Sequence, residues 1–516
     1  MNDELNKALE QISDDHINEA AHYRKPRFLW LRAVAAVLAL VICWTTIWAA
    51  FDFAPTIINP KPTEQISQNP TSPTEPRPTI PSTPKPEYPT NLGDIQSPDT
   101  LQLTNLVAAP KYPQMVQCPV YEDYADYKDY SNALNQWYTS KRNQYNQPAG
   151  YADSLTGFWS KSIPEFLSGE GNRAYSPANV YLALAMLAEV TGGNSRQQVL
   201  NLLGVDSIEA LRTQAGHVWN AHYSNDGKTT SLLANSLWLD GCYEFKDEAV
   251  QNLINNYFAS VFNGDLGTED MNEQLRAWIN SQTGGLLQEQ AKNLELSPDS
   301  VFALASTIYF AADWEGGFNK DKTADGIFHC KDGDLTTEFM NKTITEGVYY
   351  WGEDFGAVRL GLSKGSMWLI LPDEGKTVED VLESGEYLQL TLSPNDWKNQ
   401  KKIKINLSMP KFDISSQADL IEGMKNLGLT DVFDSRTADF TPTTDAKDLF
   451  LGKIDHAVRV AVDEEGVIAA AYTVMDIPAG CVPTIPDKEI DFILDRPFLF
   501  TVSTSIPLFA GVVEQP

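Results

Sequence analysis

Cysteine is scarce in this chain of 516 residues: there are five, at positions 43, 118, 242, 330 and 481, never as a CxxC pair and odd in number. That scatter indicates neither a disulfide framework nor a zinc knuckle. Histidine is nearly as rare, at six, and His217 and His222 stand five apart, off the spacing that puts two zinc ligands on one helix face. No phosphate-cradling glycine loop, dinucleotide fingerprint or internal repeat occurs. Basic residues are outnumbered, with 39 Lys and Arg against 69 Asp and Glu, a net charge of −30. Nucleic acid is excluded as a partner, because its phosphates call for clustered Lys and Arg. Neither a cofactor nor a metal is indicated.

Hydrophobic residues make up 42% of the chain and charged ones only 21%, which fits a globular protein with a sizeable core. Ala33 to Ala50 carries no charge over 18 residues and holds Trp44 and Trp48 at its far end. Its length meets the requirement for crossing a bilayer, and tryptophans suit the interface. Arg24, Lys25, Arg27 and Arg32 precede it, so residues 1–32 are expected in the cytoplasm and 33–54 as a single-pass signal-anchor in the cell membrane. A cleaved signal peptide is the rival reading, but an n-region of about 30 residues with acidic groups is long for one. Residues 55–119 hold 15 of the 30 prolines among Thr, Ser, Asn and Gln. Such a segment cannot bury a core, and it reads as an extended extracellular stalk. Residues 120–150, rich in Tyr and charge, read as a helical lead-in of unassigned role.

From 151 to 516 the texture is that of one large domain. SLTGFWSKSIPEFLSG and ANVYLALAMLAEVTGG predict helices ended by glycine. NSRQQVLNLLG predicts another, opened by Asn194 and Gln197 at capping-box spacing and closed by Gly204. Strands follow: SMWLILP is a short apolar run, and IKINLSMP alternates Ile403, Ile405, Leu407 and Met409 against Lys404, Asn406 and Ser408. HAVRVAV turns Val458, Val460 and Val462 to one side. Helices cluster early, strands dominate late and no βαβ rhythm appears, so the fold class is α+β with large antiparallel or mixed sheets.

Enzyme chemistry finds little support. GLSKG, residues 361–365, matches the nucleophile-elbow pattern around Ser363, but that elbow needs a strand before it and a helix after it. Here AVRLGL precedes and SMWLILP follows, so the glycines read as a hairpin turn.

One stretch stands out: VDEEGVIAAAYTVMDIPAGCVPTIP, residues 462–486, an acidic turn leading into three alanines and a proline-bounded tract. It is too small-sided for a core strand. Together with its surroundings it resembles the hinge and reactive-centre loop of a serpin, a family of serine protease inhibitors. NRAYSPANVYLALAMLAEVTGGNSRQQVLNLLG (172–204), STIYFAADWEGGF (306–318), KINLSMPKFDISSQADLIEGMKNLGLTDVF (404–433) and the closing DRPFLFTVSTSIPLFAGVVEQP are similar to that family's motifs, in its order. The resemblance covers roughly 151–516 and is that of a membrane-anchored, bacterial-type member. It implies three β-sheets, eight or nine helices and an exposed loop.

What the resemblance implies for function is suicide inhibition, not catalysis. The loop is bait; after cleavage its first half inserts as a strand into the central sheet and drags the acylated protease with it. The hinge is then Glu464, Glu465, Gly466, Val467, Ala469, Ala470, Ala471 and Thr473. As a strand its side chains alternate, turning Val467, Ala469, Ala471 and Thr473 inward. Counted from Gly466 as family inhibitors place it, the reactive bond is Gly480–Cys481, within a residue or two. Its small neighbours, Ala479 and Val482, suit the shallow pockets of elastase-like or subtilisin-like enzymes. The partner is a serine or cysteine protease held in a covalent 1:1 complex with a monomer. Trp314 matches the family's tryptophan at the head of the sheet, the breach. Ser176, Asn179, Ser306 and Asp455 occupy the hydrogen-bonding positions of the central shutter, with His456 one place later. The hinge departs from the family at Val467 and Ile468, where Thr and Glu are usual, and the branched Val467 is expected to slow insertion. Those departures leave a second reading open, a non-inhibitory serpin serving as a surface-binding module.

Overall fold

The computed structural model describes residues 103–148, 150–467 and 488–516. The expected anchor at 33–54, the stalk up to 102, and the loop positions Ala469, Ala470, Ala471, Thr473, Gly480 and Cys481 lie outside the described residues. No described helix is long and apolar enough to cross a membrane.

The described residues form eleven α-helices and two hydrogen-bonded strand networks. The helix Pro177–Val190 is buried on nearly every side, as its run of Ala, Leu and Val dictates. Ser176 caps it, accepting from the Asn179 N–H, and Pro177 sits at the first position, where its missing N–H costs nothing. Gly204 ends the next helix, Gly193–Leu203, in the left-handed conformation at φ 68°. Its start differs from expectation: Gly192 is the N-cap, and Asn194 lies inside the first turn with its amide on the Asp431 carboxylate, 2.5 Å away.

The central sheet runs, in spatial order, Leu106–Ala108, Ala259–Gly264, Thr229–Asp240, Phe302–Asp313, Gly466–Val467, Asp455–Val462 and Phe412–Asp419. Thr229–Asp240 is buried along almost its whole length and packs Trp238 flat on Phe262, with ring centroids 3.9 Å apart. The second network is nine-stranded. Where three separate sheets were expected, two are joined by one strand of 19 residues, Gly333–Trp351. It pairs with Ala324–Cys330 at its start, with Gln400–Pro410 along its middle, and with Phe355–Gly361 only at Tyr349–Trp351. The alternation in Gln400–Pro410 is as its sequence dictates: Ile403, Ile405, Leu407 and Met409 are all buried.

Residues 103–119, placed in the stalk by composition, run along this body. Leu106–Ala108 adds a strand to the central sheet beyond Ala259–Gly264, and the Cys118 N–H donates to the Asp226 carbonyl at 2.6 Å. Tyr112 packs against Trp219 and Tyr223, both at 5.6 Å. The lead-in contains the helix Tyr127–Tyr145, capped by Asp126. Its Trp137 is buried, and its Lys141 reaches the fully buried Asp226 at 3.0 Å.

Candidate functional site

The acidic turn at 463–465 sits at the head of the central sheet. Asp463 folds it locally, its Oδ1 accepting the N–H groups of Glu465 (2.8 Å) and Gly466 (3.2 Å) in an Asx-type turn. Glu464 is buried and receives Lys411 Nζ at 2.6 Å and the Thr323 hydroxyl at 2.7 Å. Burial pushes its pKa up, but those two donors more than offset it and hold the carboxyl below its ordinary range. Glu465 points outward to Lys320, 2.6 Å away.

Trp314 holds the turn from below. Its indole N–H donates to the Asp463 carbonyl at 2.8 Å and its backbone N–H to the Glu465 carbonyl at 3.0 Å. The neighbouring Asp313 carboxyl is pushed up to about 6, chiefly by burial, with Glu465 adding to the rise and Lys228 opposing it.

Gly466 and Val467 then enter the sheet as a two-residue strand. Gly466 pairs with Asp313, and Val467 pairs with Ala312 on one side and Val462 on the other. A Cβ on Gly466 would lie 2.3 Å from the Ala312 carbonyl oxygen, so the close backbone approach demands glycine here. Val467 is buried toward the body, as strand alternation from the hinge predicts. Beyond Val467 no pairing joins Phe302–Asp313 directly to Asp455–Val462 among the described residues. Lower in the sheet a cavity of about 510 Å³ lies between residues 302–307 of one strand and 455–457 of the other, against the helix Pro177–Val190, and the cluster of Leu286, Tyr309 and Ala461 packs between that level and Val467.

The shutter positions divide into two groups. Ser176 donates its hydroxyl to the Leu508 carbonyl (2.7 Å) and its N–H to His456 Nε2 (3.1 Å). Accepting there leaves the His456 proton on Nδ1, and burial pulls its pKa down to about 4, so the ring is neutral. Asp455 was expected in this place, and the structure corrects that assignment. It lies exposed at the start of its strand, 2.8 Å from Lys453, while His456 faces inward with Val458, Val460 and Val462. Parity along HAVRVAV carried that signal. In the second group Ser306 donates to Asn235 Oδ1 at 2.9 Å, directly across the ladder, and Asn235 donates to the Tyr257 carbonyl at 2.7 Å. Asn235 was not foreseen; its only mark is a polar amide inside the apolar run SLLANSLWLD.

GLSKG is a turn between the paired strands Phe355–Gly361 and Ser366–Pro372, with Gly365 at φ 80°. Ser363 hydrogen-bonds Thr229 at 3.0 Å, and the buried Lys364 donates to the His222 carbonyl at 2.7 Å. Strand follows strand, so no nucleophile elbow forms.

A short acidic turn thus feeds a glycine between two strands of the large central sheet. A profile of the family described as "Serpin (serine protease inhibitor)" matches residues 162–516, more than half of the chain. The chain belongs to the serpin family. This serpin is 29% identical over 360 residues to the human (Homo sapiens) leukocyte elastase inhibitor, an alignment covering 67% of this chain and 93% of that protein. It is 30% identical over 397 residues to the alpha-1-antitrypsin-like protein GS55-MS of Ictidomys tridecemlineatus, covering 73% and 92%. Among solved structures it is similar to the thermophilic serpin tengpin in the native state, at 26% identity and a TM-score of 0.63, over 72% of this chain and 95% of that one. The fold is the serpin fold, and serpins are protease inhibitors rather than catalysts.

Proposed function

We propose that this serpin inhibits proteases as a suicide substrate, through the bond Gly480–Cys481. The observation that carries this reading is Gly466–Val467, seated between two strands that share no direct pairing below it among the described residues, with the bait sequence following it. A target serine Oγ attacks the Gly480 carbonyl carbon and the bond to Cys481 nitrogen breaks. The nitrogen takes the proton, and Gly480 remains on the enzyme as an ester. Ala469, Ala471 and Thr473 then follow Val467 between the two strands. Ten or so new ladder hydrogen bonds, at roughly 1 kcal/mol each, supply the drive. Val467 is already accommodated, at 1% exposure, so its branched side chain is no obstacle at that position.

The small residues around Gly480 and the relationship to an elastase inhibitor both favour an elastase-like or subtilisin-like target with a shallow pocket. Residues 33–54 are proposed to anchor the chain, with the inhibitor domain outside the cell. Recovery of the full chain in the soluble fraction after alkaline extraction of membranes would sink that part.

The test mixes the full chain with elastase and with subtilisin, and resolves the products under denaturing conditions. A covalent band at the summed mass is expected, with a released peptide beginning at Cys481 or within two residues of it. Cleavage without a band across both enzymes would point to the binding-module reading.

A further inference from the structure

The slot between residues 302–307 and 455–457 is more than a track for a strand. Its walls are apolar: Leu184, Trp238, Ile279, Leu304, Met424 and Phe440 line it. Three polar groups set into those walls are more than nine-tenths buried. Thr307 Oγ1 is buried without a hydrogen-bond partner, and the Asn179 side chain and the His456 ring line the cavity with it. An apolar cavity of several hundred Å³ with a few polar groups in its walls is the usual form of a small-molecule site, and the orphaned Thr307 hydroxyl costs free energy until something bonds it.

The rim sets the charge of the occupant. Glu295, Asp299, Asp448 and Asp455 stand exposed around the slot against a single ammonium, Lys453, which is engaged with Asp455. The chain as a whole carries −30. A fatty carboxylate would meet repulsion from both the rim and the overall field, whereas a protonated amine is attracted by both.

We infer that this slot binds a linear amphiphile with a hydrocarbon body and a protonated amine head. The body lies along Leu184, Ile279 and Leu304, and the head emerges between Asp299 and Asp448. Binding needs no protease. Its consequence does rest on the inhibitory reading above: an occupied slot cannot take the inserting strand, so the amphiphile turns the inhibitor into a cleavable substrate.

The experiment uses the full chain and a dodecylamine carrying a photoreactive diazirine, with adducts mapped by mass spectrometry. Saturable adducts on the slot-lining segments are expected, competed by plain dodecylamine and not by dodecanoate. The double variant Asp299→Lys with Asp448→Asn, the asparagine keeping the left-handed backbone at φ 59°, should lower adduct yield about tenfold. Leu304→Trp should abolish it by filling the slot. Adducts confined to other segments, equal competition by dodecanoate, or a rim variant that labels as the parent does would each overturn the inference. In a second arm, dodecylamine added before the protease should shift the products from covalent complex to cleaved chain. Absence of the covalent band without amine would overturn the inhibitory reading and leave the binding result standing. An unchanged band at saturating amine would overturn the slot assignment alone.

Discussion

Lys411 Nζ and the Glu464 carboxylate meet at 2.6 Å, with Glu464 only 6% exposed. The pair ties the end of the strand Gln400–Pro410 to the turn that launches the hinge, so two parts of the fold share one ion pair at the head of the central sheet. Lys411→Met removes the cation and leaves the carboxylate buried. A loss of roughly 3 kcal/mol is expected, the scale for stranding one member of a buried pair, read as a lower urea midpoint at pH 7.5. Glu464 is held below its usual range, so the stability it contributes is present above the unfolded carboxylate pKa and fades as pH falls through the lower folded value. Variant and parent should therefore converge in acid; a gap that persists at pH 3 would exclude the ion pair as its cause.

Gly466 has no room for a side chain against the Ala312 carbonyl oxygen. Gly466→Ala should displace the two-residue strand at a cost of about 2 kcal/mol, the range for overpacking a tight site. Trp314, bonded to both Asp463 and Glu465, reports on it through its fluorescence. The same variant should yield more cleaved chain and less covalent complex with subtilisin. An unaltered ratio would show that the hinge strand does not govern insertion.

Asp313 behaves in the opposite sense to Glu464. Its folded pKa is raised to about 6, so the folded protein binds this proton more tightly than the unfolded chain does. The resulting penalty is absent below the unfolded value near 4, grows as pH rises, and is complete above about 6. Asp313→Asn keeps the shape and removes the charge. It should melt above the parent at pH 7.5 and level with it at pH 4; equal melting at both would mean that the carboxylate is better solvated than its surroundings indicate.

Much of the fold was legible because the signals were local. Ser176–Pro177 and Gly204 are helix punctuation, and the alternation of Ile403 to Met409 fixes one strand's faces whatever packs on them. The turn Asp463–Glu465 and the glycine that follows it were legible from order, whereas the small residues after Val467 lie outside the described residues. Matters that depended on distant partners were not. Asp455 was favoured over His456 because an aligned position outweighed the parity of the strand. Asn235 has no neighbour in sequence to announce Ser306, its partner across the ladder. The edge strand Leu106–Ala108 sits in a segment whose composition says only that it cannot fold alone; whether it lies along a body depends on the open edge of Ala259–Gly264, more than 150 residues away. The merging of two sheets through Gly333–Trp351 likewise follows from three separate pairings that no local pattern encodes.

The gap between Phe302–Asp313 and Asp455–Val462 also changes how the sheet must be protected. A sheet ordinarily exposes two rims of unpaired N–H and C=O groups, and proteins blunt them with charge, proline or a covering segment. Here Leu106–Ala108 covers one outer rim, and below Val467 the strands Phe302–Asp313 and Asp455–Val462 share no direct pairing among the described residues. Such a seam is where an extended chain, its own or that of a second molecule, would add to the sheet. Protection against a stranger's strand is therefore needed at this inner seam as well as at the outer rims.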